Sequence, residues 1–171
     1  MKFLIILLLT INFIFSQENY FINNMRQLIF EGERSGEGYF GPSGNLLSFQ
    51  SERDDNNPFF QIYLLNFKNG NIRKISPGIG KTTCSWVHPN KNQVLFASTH
   101  LDPNALIKQK QELEFRKSGK SRRYSWDYDE NYELFLYDLN TNKYEQITNS
   151  IGFDAEGAIS PDGDWIVFSS N

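Results

Sequence analysis

Residues 159 to 170 read Ile159-Ser160-Pro161-Asp162-Gly163-Asp164-Trp165-Ile166-Val167-Phe168-Ser169-Ser170. Pro161 presets φ near −65° and Gly163 accepts the positive φ that closes a tight hairpin, so this turn joins two short strands. The pattern recurs twice upstream. Residues 38–51 and 85–98 align without gaps to 157–170, sharing Pro42, Pro89 and Pro161, then Phe49, Phe96 and Phe168, then Ser51, Ser98 and Ser170. A second block repeats as well: 61–76 matches 133–148.

The spacing fixes a period. Pro42 and Pro89 are 47 residues apart, and Pro89 and Pro161 are 72 apart, the difference being a 25-residue excursion between Pro89 and Glu133. Each 47-residue unit reads as four short strands. The second is 46–49 or 165–169, the third 62–67 or 134–139, and the fourth 72–75 or 144–147. Lys68-Asn69-Gly70 and Asn140-Thr141-Asn142 supply the hairpins between the last two. The third strands are apolar on both faces, which requires sheets stacked against each other. Four-stranded units of this length stacked face to face are propeller blades.

Residues 159–170 resemble the repeat of TolB-like β-propellers, and the resemblance extends over 26–171 in two full copies and one half copy. The expected fold is therefore all-β: a partial β-propeller of two four-stranded blades plus half of a third. Blade one runs over about 36–76, blade two over about 82–148 and the half blade over about 154–171. One turn departs from the pattern, because Lys91 stands where the other copies have Gly, and a different turn geometry is expected there. Such propellers have roughly six blades, so the resemblance implies that the sequence is the N-terminal part of a longer chain. Residues 26–29 precede Pro42 by the offset of 73–76 from Pro89 and read as an outer strand without a blade of its own.

Met1-Lys2 followed by an almost wholly apolar run to Phe15, then Ser16 and Gln17, reads as a signal peptide over 1–16. The run is too short for a membrane span; the alternative is a membrane anchor. Export to the periplasm or outside the cell follows, with no stable membrane span after cleavage. A single cysteine, Cys84, allows no intrachain disulfide, so burial must stabilise the fold. With 17 basic against 20 acidic residues the chain is mildly acidic, which argues against nucleic acid as a partner, and 39% apolar residues argue against disorder.

Counting back from each Pro puts Glu37, Cys84 and Glu156 at one equivalent position, at the start of the innermost strands around the channel mouth. Glu37, Cys84, His100, Asp154 and Glu156 are the candidate mouth residues, suited to a cation or a peptide amine. The bland alternative is a solvated acidic rim. No cofactor is implied, and Ca²⁺ at the mouth is the one ion these residues suggest. The excursion, 101–131, is expected to hold a helix over 104–117, started by Asp102-Pro103 and ended by Ser118-Gly119. Beyond it, 120–128 mixes basic and aromatic residues, a lid or docking arm over the mouth; otherwise the excursion is a solvated segment packed on Leu106 and Leu113.

Catalysis finds little support. Cys84 and His88 are four residues apart on one strand, about 13 Å, too far for a dyad. No nucleophile elbow, zinc-binding motif or phosphate loop occurs. The resemblance implies an exported, non-catalytic scaffold binding a protein or peptide partner. The alternative is the propeller domain of a larger secreted peptidase or hydrolase whose catalytic domain lies beyond residue 171.

Overall fold

The computed structural model describes residues 22–123, 125 and 127–171. The signal-peptide segment, 1–16, and two aromatics of the basic stretch, Tyr124 and Trp126, lie outside the described residues. The chain divides into two units, Met1–Phe30 and Glu31–Asn171. In the first, residues 22–30 carry no strand, so the outer strand expected over 26–29 does not form. A strand exists through its ladder partner, and no ladder includes these residues.

The second unit is a partial β-propeller. β1 (Ser35–Phe40), β2 (Leu46–Ser51), β3 (Gln61–Asn66) and β4 (Ile72–Lys74) form one antiparallel sheet in sequence order. β5 (Thr82–Val87), β6 (Gln93–Ser98), β7 (Glu133–Asp138) and β8 (Tyr144–Gln146) form the second, and β9 (Asp154–Ile159) pairs with β10 (Ile166–Ser170) as a half blade. The registers repeat: Phe49 faces Tyr63 across β2 and β3, and Phe96 faces Phe135 across β6 and β7.

Turn chemistry fixes those registers. Gly44 and Gly163 take positive φ (69° and 83°), each donating its N–H to a carbonyl three residues back. Lys91 avoids that conformation. Instead His88 Nδ1 accepts from the N–H groups of Asn90 and Lys91, both at 3.1 Å, so a ring nitrogen replaces the missing glycine geometry. In the outer hairpins Gly70 and Asn142 both take positive φ (72° and 56°), Asn being among the few non-Gly residues that tolerate it.

Burial follows the blade stacking. β5 packs on β1, β2 and β3, and β9 packs in the same way on β5, β6 and β7. One core, between the first two sheets, gathers Ile62, Leu64, Val87, Val94, Phe96 and Phe135. The other, between the second sheet and the half blade, gathers Leu95, Ala97, Leu134, Phe153, Ala155 and Ile159. Alternate side chains of β6 therefore serve opposite cores, and Val94 through Ala97 are completely buried. On β10 the outer face is open: Phe168 is 39% exposed where Phe96 is 0%.

Candidate functional site

Each innermost strand carries one extra residue against its neighbour. The ladder slips between Gly36 and Tyr39, between Thr83 and Trp86, and on β9 between Ala155 and Ala158. Glu37, Cys84 and Glu156 occupy these bulges with φ of 45°, 49° and 57°. Glycine normally takes the left-handed position of such a bulge. Holding other residues there costs about 1–3 kcal/mol each, strain that concentrates at functional positions.

The bulges bring the three side chains together. The Cys84 thiol donates to Glu37 Oε2 at 3.4 Å, while Glu156 Oε2 accepts from Ser169 Oγ at 3.1 Å. All three line a groove of about 280 Å³, walled also by Tyr39, Ser85, Trp86, Gly157 and Ala158. The Tyr39 and Trp86 rings lie 5.5 Å apart, tilted by 45°. Tyr39, Trp86 and Ala158 are again equivalent positions, three before each Pro, so the period that points to Glu37 and Glu156 points to these as well.

Burial pushes the Cys84 thiol up to about 12; the Thr83 hydroxyl opposes that shift, and Glu37 and Glu156 add to it. Cys84 is thus a neutral thiol at physiological pH, not a nucleophile. Its alkylation by iodoacetamide at pH 7 is expected to run about a thousandfold slower than that of an unperturbed cysteine and to keep rising beyond pH 9. A rate profile with a midpoint near 8.5 would contradict this environment. His88 sits at the far end of β5, held in the turn described above, and takes no part in the site.

Two candidate mouth residues stand apart. His100 lines neither cavity; its ring packs 4.3 Å from that of Phe135 and its Nδ1 lies 2.9 Å from Ser98 Oγ, and burial lowers its pKa. Asp154 opens β9 but is 2% exposed, and its Oδ2 accepts from the Ser150 hydroxyl at 2.7 Å. Sequence spacing gives no sign of which way either side chain turns: Asp154 is the first residue of β9 and His100 lies two residues beyond β6. Among the described residues no three His, Cys, Asp or Glu side chains are grouped to hold a metal ion.

The groove opens into a larger cleft of about 1230 Å³ whose far wall is the excursion. Its helix, α1 (Ala105–Lys117), starts one residue later than expected, with Asn104 rather than Asp102 at the N-cap; Asp102 Oδ1 accepts from the Asn104 N–H at 2.8 Å in the turn that precedes it. Gly119 at φ 68° ends it. The buried stripe, however, is Ala105, Gln109 and Glu112, and Leu106 is 62% exposed. Polar side chains face inward because each meets a partner. Gln109 Oε1 accepts from the Gly80 N–H at 2.7 Å and its Nε2 donates to the Asn56 carbonyl at 3.1 Å. Arg116 bonds Glu112 at 2.9 Å, the Pro58 carbonyl at 2.8 Å and the buried Glu52 at 3.2 Å, and Arg34 holds Glu52 from the other side. Lys108 bridges Asp102 at 2.7 Å and Asp129 at 2.9 Å. These ion pairs and hydrogen bonds hold α1 against the first two blades.

No family model and no curated protein matches the chain. Solved structures do. A putative TolB from Agrobacterium tumefaciens superposes with a TM-score of 0.58 at 18% identity, covering 84% of this chain and 40% of that one. TolB from Acinetobacter baumannii gives 0.52 at 19% identity, covering 78% of this chain and 26% of that one. The chain spans less than half the length of either protein, and the likeness is one of fold: a stretch of TolB-like β-propeller.

Proposed function

We propose that the chain is a non-catalytic, exported β-propeller segment whose channel face binds a protein or peptide partner. The observation that carries this reading is the cleft of about 1230 Å³ at the channel mouth, walled on one side by blade ends and on the other by a latched helix. A rigid, concave, partly aromatic surface suits an extended or helical polypeptide. The one thiol in it is held neutral, and His88, in the turn after β5, bonds the Asn90 and Lys91 N–H groups and not Cys84. The similarity to TolB proteins is one of fold, and fold alone assigns no activity.

The open face of β10 and the partial coverage of the TolB structures support a further part of the reading, that these blades belong to a longer propeller. A larger secreted hydrolase using the same blades would place its chemistry elsewhere.

Selection of a randomised peptide library on the full chain, followed by hydrogen exchange of the complex, tests the proposal. Protection is expected at 37–39, 84–86 and 156–158. Protection confined to β10, or no enriched peptide, would refute it.

A further inference from the structure

The channel-mouth groove and the adjoining cleft carry polar groups with unused hydrogen-bonding capacity. Glu37 and Glu156 are exposed and, among the described residues, neither has a cationic partner; Glu37 takes only a thiol proton and Glu156 only a serine hydroxyl. Gln50 pairs with Gly36, next to the first bulge, and lines the adjoining cleft. It is 7% exposed, yet its amide oxygen has no partner. Ser85, 2% exposed, lines the groove itself, and its hydroxyl also lacks a partner. Buried polar groups are normally satisfied; the Gln50 amide oxygen can only accept, and together with the two carboxylates it points to a ligand that brings N–H groups, while the Ser85 hydroxyl can serve either way.

The walls add a second preference. Tyr39 and Trp86 flank the two carboxylates, and aromatic faces beside acidic groups favour a cation carried on an apolar stem. The bases of the outer cleft do not neutralise this charge. Arg34, Lys81, Lys108, Arg116 and Arg122 are each already paired with a carboxylate, and Arg123 is exposed.

We infer that this groove receives a Lys or Arg side chain of the bound polypeptide, with Glu37 and Glu156 taking the charge and Tyr39 and Trp86 holding the methylene stem. This rests on the channel-face binding proposed above and names the anchor that such a partner presents.

The probe is acetyl-Gly-Gly-Lys-Gly-Gly-amide, titrated into the ¹⁵N-labelled full chain beside the same peptide with norleucine in place of Lys. The Lys peptide is expected to shift the Ser85 and Gly157 amides and the Trp86 indole, and the norleucine peptide to bind at least about tenfold more weakly. The double variant Glu37→Gln, Glu156→Gln should lose a similar factor, whereas Trp86→Phe, which keeps an aromatic wall, should lose only about two- to fivefold. Equal binding of the two peptides, shifts elsewhere, or undiminished affinity in the double variant would overturn the inference. Library peptides that protect the mouth yet need no Lys or Arg would overturn it while leaving the channel-face reading intact. If no peptide protects the mouth, that reading itself fails.

Discussion

Phe96→Ala is expected to lower folding stability by about 3–5 kcal/mol, while Phe168→Ala, at the equivalent place in the next repeat, should cost less than about 1 kcal/mol. The two residues share a sequence context but differ in burial, 0% against 39% exposed. Phe96 sits in the interface between the first two blades, its ring 6.3 Å from Phe135 and 6.2 Å from Tyr144. Deleting it removes transfer energy and leaves a void that a blade pinned on both faces cannot close. Urea unfolding checks the pair. Similar midpoints for the two variants would mean that the blades do not stack as described.

The second large effect concerns the excursion. Arg116→Ala is expected to destabilise the protein by about 2–4 kcal/mol, because Glu52, 4% exposed, would keep only Arg34 as a cationic partner, and the Pro58 carbonyl and Glu112 would each lose a donor. Arg116→Lys should recover little, since one ammonium cannot reproduce the fork that reaches Glu52, Glu112 and Pro58 together. Hydrogen exchange over 105–117 should speed up in both variants more than in the sheets. Unchanged exchange in the helix would show that the excursion is held by something other than these ion pairs.

How much of this was legible beforehand varied with the physics involved. The hairpin turns and the apolar third strands are local or period-two signals, so the four-strand unit and the stacking of its faces follow from residues such as Pro161, Gly163 and Leu134. The same period located Glu37, Cys84 and Glu156 as equivalents. Their shared left-handed backbone was not legible, because such positions announce themselves through glycine, and here the glycines, Gly36 and Gly38, only flank the first bulge. Nor was the docking of α1. A sequence reading seeks an apolar stripe, and Leu106 and Leu113 supply one; the structure instead buries Gln109 against the Gly80 N–H, remote in sequence, and Glu112 against Arg116, one turn along the same helix, which itself reaches the distant Glu52. His100 shows the same gap: its rim was predictable, but its turn toward Phe135 depends on β7, beyond the excursion.

Successive blades stacked around one axis are what bring the three bulges into one groove, and the blade contacts can be observed directly. A methyl-resolved nuclear Overhauser spectrum of the full chain should connect Gly41 to Val87 across the first interface and Gly157 to Leu95 and Leu134 across the second, the positions where an added Cβ would come within 3.3, 2.8 and 3.1 Å of those methyl groups. Both sets of cross-peaks are expected beside the Gly38 to Leu47 contact within the first blade. The within-blade contact present and the two blade-to-blade sets missing would contradict the stacking, and with it the shared mouth.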